Sequence, residues 1–113
     1  MIDEDLDVRL RHYFGPGVRA ETVQYRQWKG LKNGRLLQAL REAGDVHVFV
    51  TGDQNLPRQQ NIPALPFAVV VLRAGGSLAV DDLLPLMPEL RRLLPALVSQ
   101  PGTVTWVDRR DPD

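Results

Sequence analysis

Cysteine is absent from the 113 residues. That excludes disulfides, thiolate zinc sites and a cysteine nucleophile, and it fits a reducing compartment. Neither sign of charge dominates, because 14 Lys and Arg face 14 Asp and Glu. A chain so balanced is not a general polyanion binder, and any nucleic-acid contact must come from a local patch. No apolar run approaches the roughly 18 residues that a membrane helix needs. The opening Met1-Ile2-Asp3-Glu4-Asp5 is acidic where a signal peptide would be basic and then apolar. These absences lead to the expectation of a cytoplasmic protein with no membrane partner. Internal repeats and low-complexity stretches are missing too. The length fits one domain over residues 1–108, followed by a tail at 109–113 made of charge and proline that is expected to fray.

What is present alternates between helical and strand-like patterns. A short helix fits from about Leu6 to Phe14, ended by Gly15-Pro16-Gly17, and Val18 to Val23 is β-rich enough for a strand. Gln24 to Lys32 reads as a polar loop carrying Tyr25 and Trp28. Asn33 is placed as the N-cap of a helix to Ala43, with Leu36, Leu37 and Leu40 as its apolar stripe and Gly44 as its stop. Val46 to Val50 is a strand followed by the turn Thr51-Gly52-Asp53, and Gln54 to Ile62 is a short helix or loop. Phe67 to Leu72 is apolar throughout, as expected of a strand covered on both faces. Leu78 to Leu97 has leucine at helical spacing, but Pro85, Pro88 and Pro95 argue against one straight helix, and Pro85 or Pro88 suits a first turn. Thr103 to Val107 is a last strand. The order predicts an α/β fold: a mostly parallel central sheet with helices on both faces, which puts ligands at the C-terminal edge of the strands. Met1-Ile2 is then the stump of a first strand, either because the chain starts late or because strand one is very short.

Asp3-Glu4-Asp5 closes one candidate strand, and Asp53 lies just past another. In a parallel sheet both turns point to the same edge, and the carboxylates converge if the two strands are neighbours. Like charges held that close raise a pKa unless a cation neutralises them. Magnesium and manganese take such hard oxygen ligands. The competing reading is helix capping by Asp3, Glu4 and Asp53. Arg26, Lys29, Lys32, Arg35 and Arg58 form a basic group that would hold backbone phosphates beside such a site, and Tyr25 and Trp28 offer stacking faces. Against that stands a solvated loop with Trp28 tucked into the core. His12 and His47 read as structural, and no glycine segment has phosphate-loop spacing. Gln59-Gln60-Asn61 would either orient the Asp53 turn or lie on the surface.

Several of these segments resemble one known family. Ile2-Asp3-Glu4-Asp5-Leu6 resembles the opening Asp-Glu-Asn-Leu motif of small bacterial PIN-like proteins of the VapC-like toxin type. Val48-Phe49-Val50-Thr51-Gly52-Asp53-Gln54-Asn55-Leu56 resembles their second signature, an apolar strand ending in Thr, one residue, then Asp. Ala68 to Leu72 with Arg73 and the leucine-rich stretch after Asp81-Asp82-Leu83-Leu84 match in order and spacing, and Val23-Gln24 to Leu37, with Trp28-Lys29-Gly30-Leu31-Lys32-Asn33-Gly34, resembles a subgroup hallmark, so the resemblance covers nearly the whole chain. It implies a PIN-like three-layer sandwich and a ribonuclease dependent on Mg2+ or Mn2+, the toxin of a toxin–antitoxin pair, with RNA, a cognate antitoxin and a second copy in a homodimer as partners. By position Asp3 and Asp53 correspond to metal carboxylates and Glu4 to the second residue of the opening motif, with Asn33 and Asn55 standing behind them. The family often carries a further acid near the start of the second helix, where this chain reads Lys32-Asn33-Gly34-Arg35.

Three functions follow as expectations. The first is metal-assisted hydrolysis of RNA by Asp3, Glu4 and Asp53. The second is a catalytically degenerate module of the same fold that binds RNA or a protein partner without cutting, which the missing acid favours. The third is a receiver-like phosphoacceptor. It is disfavoured because Leu72-Arg73-Ala74 and Val107-Asp108 lack the hydroxyl and Lys-Pro that chemistry needs.

Overall fold

A computed structural model describes residues 1–108. Three strands, β1 (Val48–Thr51), β2 (Ala68–Arg73) and β3 (Val104–Asp108), form an all-parallel sheet in the order β1-β2-β3. Two single-residue bridges extend it: Ile2 pairs in parallel with Val50 on one side and with Thr22 on the other. Across the sheet the order is therefore Thr22, Ile2, β1, β2, β3. Counted along the chain this is 2-1-3-4-5, the flavodoxin-like order, which reverses direction between Ile2 and β1.

The expected parallel sheet is present, and so are helices on both faces. One apolar layer joins Ile2, Val50, Val70 and Leu72 to Leu6, Leu10 and Phe14 and to the leucines between 83 and 97. The other joins Phe49, Val69 and Val71 to Leu36, Leu37 and Leu40, Leu56, Ile62 and Leu65. β2 lies between both layers and is buried from Ala68 to Leu72, as its unbroken apolar run demands. Each fully buried aliphatic side chain there contributes about 1.5–3 kcal/mol, which makes this strand the anchor of the fold.

Helix α1 (Asn33–Ala43) buries Leu36, Leu37 and Leu40 and ends at Gly44, whose φ of 74° is left-handed and whose N–H donates to Leu40 O. The N-cap differs from expectation. It is Lys32, and Asn33 is the first helical residue, its side chain turned elsewhere. The early helix is a 3-10 helix over Val8–Tyr13, capped by Asp7, whose carboxylate accepts from Arg9 N–H. The strand expected over Val18–Val23 shrinks to the bridge at Thr22, because its neighbour pairs through Ile2 alone. α2 (Leu56–Gln59) is a single turn. Pro85 and Pro88 break the leucine-rich stretch into α3 (Val80–Leu83), a 3-10 turn at Leu84–Leu86 containing Pro85, and α4 (Met87–Leu97) with Pro88 in its first turn, whereas Pro95 is accommodated inside α4. The charged tail at 109–113 lies outside the described residues. Among the described residues no helix is long and apolar enough to cross a membrane.

Candidate acidic site at the strand switch

The reversal between Ile2 and β1 opens a crevice at the C-terminal ends of these two strands, the place where ligands bind in open α/β sheets. Both acidic turns lead into it. Asp3 follows Ile2, and its N–H donates to Val50 O at 2.9 Å. Asp53 follows β1 by two residues. Asp3, Asp5, Asn33, Gly52, Asp53 and Asn55 are among the residues lining one open pocket of about 580 Å3.

Thr51 joins the two acids. Its hydroxyl, fully buried, donates to Asp3 Oδ2 at 2.7 Å and accepts from Asp53 N–H at 3.0 Å. Asp3 is only 6% exposed, and its Oδ1 accepts from Glu4 N–H at 2.8 Å. Burial pushes the Asp3 carboxyl pKa upward. The bonds from Thr51 and Glu4 oppose that, and the charges of Glu4 and Asp53 add to it. Asp53 Oδ1 accepts from Asn55 N–H at 2.9 Å, closing a tight turn, and Oδ2 accepts from Asn33 Nδ2 at 2.8 Å. Asn33 thus stands where the family resemblance places a further acid, and it feeds a proton donor to Asp53 instead of a negative charge.

Asp5, which the sequence grouped with the cluster without assigning it a role, also faces this pocket. Its Oδ1 accepts from Gly52 N–H at 3.4 Å. Crowding of its carboxyl, and then the charge of Asp3, pushes its pKa up to about 6, although the residue keeps enough exposure for water to screen part of the effect. Glu4 also lines this pocket, and its Oε1 accepts from Gly30 N–H at 3.0 Å, tying the 24–32 loop to the rim. Thr51 is the residue that sequence reasoning missed as a site group. Its signal was the two-residue spacing to Asp53 at a strand end, which lets a hydroxyl reach a neighbouring turn.

The basic group does not stay together. Arg26 is drawn toward the other end of the sheet, where its guanidinium pairs with Glu21 and Asp45 and lies 5.5 Å from the Trp28 ring centroid. That corrects its placement as an RNA contact at this pocket. Trp28 is half-buried against the α1-side core, whereas Tyr25 is 74% exposed. Arg58 is exposed and donates to Asn55 Oδ1 at 2.7 Å. Lys29, Lys32 and Arg35 are exposed, flank Leu31 and Asn33 of the pocket, and make no ion pair among the described residues.

As a donor set the pocket is hard oxygen throughout, the kind that Mg2+ and Mn2+ take. Among the described residues no group of three or more His, Asp or Glu is arranged to hold a metal ion. An ion at this pocket would have one or two carboxylates to hold it, Asp3 and Asp53, and not a preformed protein cage. The bonds to Asp3 and Asp53 leave each carboxylate further lone pairs. No family model, curated protein or solved structure matches this chain.

Proposed function

We propose that the switch-point pocket is the site of a PIN-like, Mg2+- or Mn2+-dependent ribonuclease, acting in the cytoplasm as the toxin of a toxin–antitoxin pair. The observation that carries this reading is that Asp3 and Asp53 line one pocket at the crevice where an open parallel sheet binds its ligands, the Thr51 hydroxyl tying the Asp3 carboxylate to the backbone of the Asp53 turn. Asp3 and Asp53 would hold the ion, with Asp5 beside them. When bound, a divalent ion supplies charge neutralisation on a phosphodiester and lowers the pKa of a water. The protein's own part is to fix Asp3 and Asp53 in place through Thr51, Asn33 and the Asn55 N–H. Lys29, Lys32 and Arg35 would take the flanking phosphates.

A second reading has its own support. Asn33 Nδ2 already occupies Asp53 Oδ2, and no acid stands at positions 32–35. A catalytically degenerate module binding RNA, or a protein partner, through the same rim follows from that. One experiment separates the two. Purified protein is incubated with fluorescent single-stranded RNA in MnCl2 or in EDTA, beside Asp53→Asn. The nuclease reading expects products only with metal and a loss of at least about 100-fold in Asp53→Asn. RNA retention in EDTA with no products on long incubation selects the binding module. Neither products nor RNA binding overturns both readings for RNA and leaves the protein partner.

A further inference from the structure

The acidic pocket has two unlike walls. Leu31 and Leu78 are the apolar side chains among its lining residues. Leu31 packs on the α1-side core and Leu78 on the core at the other face of the sheet, so they bound the acidic floor from opposite faces. Both are half-buried, which leaves apolar surface open to the pocket.

Charge divides the same way. Lys29, Lys32 and Arg35 flank Leu31 in the chain and make no ion pair among the described residues. Around Leu78 the sequence has no Lys or Arg from Ala74 to Leu90, and Asp81 and Asp82 stand in the first turn of α3. A phosphate is therefore drawn to the Leu31 side and repelled from the Leu78 side.

Leu78 is held in place by its own segment, the short connection between β2 and α3. Gly75 and Gly76 turn the chain there with left-handed φ of 64° and 87°. Ser77 N–H donates to Ala74 O at 3.2 Å, and Ser77 Oγ donates to Asp82 Oδ2 at 2.6 Å. The Leu78 side chain then reaches over the end of β1, since a Cβ added to Gly52 would lie 2.5 Å from Leu78 Cδ2 and 3.2 Å from Asp5 Oδ2. Gly52 separates Thr51 from Asp53, so an apolar surface is fixed beside the carboxylates.

We propose that Leu78 is the residue against which the site packs a base of its RNA strand, the phosphate of that nucleotide lying toward Lys29, Lys32 and Arg35. This rests on the RNA reading of the pocket and adds which part of the nucleotide each wall takes. The face of a base needs no hydrogen bond, so leucine covers it without stranding a polar group. Ribose hydroxyls and phosphate oxygens would lose water there and gain no partner. Leucine reads no base edge, so this contact alone sets no sequence preference. A base held in the pocket has left its stack, which costs a duplex more than an unpaired strand.

The test measures binding of two fluorescent probes, a short oligouridylate and the same ribose-phosphate chain without its bases, in EDTA and again in CaCl2. Leu78→Ala truncates the wall. Gly52→Ala keeps the leucine but puts a methyl group against Leu78 Cδ2, which must move aside. The unmodified protein is expected to bind the oligouridylate at least about tenfold more tightly than the baseless chain. Each variant should cut that ratio by at least about fivefold while holding the baseless chain within about twofold. Leu78→Met, which keeps the apolar bulk, should restore most of the ratio. Ratios in both variants equal to that of the unmodified protein would overturn the base wall and leave the RNA reading standing. Failure of the unmodified protein to bind either probe in either buffer would remove the RNA reading, and this inference with it. A Leu78→Ala chain that unfolds would lose both probes alike, and the ratio in Gly52→Ala then decides.

Discussion

Replacing Thr51 with valine keeps the shape of the side chain and removes only the hydroxyl that links the two acids. Thr51 is fully buried, so water cannot substitute for it. The bond to the Asp3 carboxylate is charge-assisted and contributes about 1.5–3 kcal/mol, and the bond from Asp53 N–H contributes about 0.5–1.5 kcal/mol. Asp53 is only half-buried, so its N–H can recover part of that loss from solvent. The expected cost is about 2–4 kcal/mol at pH 7.5 in EDTA. Thr51→Ser keeps the hydroxyl and loses a methyl group, at about 1 kcal/mol. The sign of the pH dependence follows from Asp3. Its folded pKa is raised, so the native state holds the proton more tightly than the unfolded chain. The stability this gives is fully present below the unfolded carboxyl value and is lost as pH rises through the folded one. Removing the Thr51 donor raises the folded value further, so the deficit of Thr51→Val should shrink toward pH 4. Urea unfolding of both variants, with and without Asp3→Asn, completes a double-mutant cycle whose expected coupling is about 1–2 kcal/mol. A valine variant within about 0.5 kcal/mol of the serine variant at pH 7.5, or a coupling indistinguishable from zero, would refute the bridge.

Asp5 carries the same sign. Its folded pKa of about 6 lies above the ordinary aspartate value, so Asp5→Asn should remove a loss of stability that sets in between about pH 4 and 6. It should gain about 1 kcal/mol at pH 7 once solvent screening is allowed for, as read by urea titration across that range. Gly102 and Gly44 share a left-handed φ, 77° and 74°, but an added Cβ at Gly102 would meet Pro63 O at 2.8 Å and at Gly44 would meet nothing within 4 Å. Gly102→Ala should therefore cost about 2–4 kcal/mol and Gly44→Ala about 1 kcal/mol in thermal unfolding. Arg26→Ala should cost about 1–2 kcal/mol, falling in 0.5 M salt, the limb to mostly buried Glu21 supplying more of it than the limb to exposed Asp45. It should also leave RNA binding within about twofold, whereas Lys32→Ala weakens it more and lowers the salt slope by about one ion.

Periodicity carried much of the fold. The run Phe67–Leu72 had to be a doubly covered strand, Gly44 had to stop α1, and Pro85 and Pro88 had to split the last helical stretch, because each rests on a local steric or hydrogen-bond rule. Three features were not legible for equally physical reasons. The Val18–Val23 strand depends on the length of its partner, not on its own β-propensity, and with Ile2 alone opposite it only Thr22 pairs. Asn33 has the composition of an N-cap, yet a carboxylate twenty residues away competes for its amide and wins. Arg26 sits in a run of basic residues, and only the tertiary position of Glu21 and Asp45 shows that it is a clamp and not part of a phosphate rim.

The acidic pocket turns on a choice that composition cannot make. Asp3 and Asp53 are fifty residues apart, and alternation of helices and strands places both at the same sheet edge without saying how far apart along it. Neighbouring strands lie about 4.8 Å apart, and one intervening strand would double that to about 9.6 Å. At the nearer spacing a single threonine hydroxyl reaches from one turn to the other, as it does here. At the wider one it could not, and each acid would be left to solvent. Chain order offered the Thr22 segment as the obvious neighbour of β1, since it precedes it. Its displacement to the far side of Ile2 is what creates the switch point, puts both acids on one pocket and, at the other end of the same two strands, leaves a groove beside Met1. Both features therefore trace to one topological fact, the insertion of Ile2 between Thr22 and Val50.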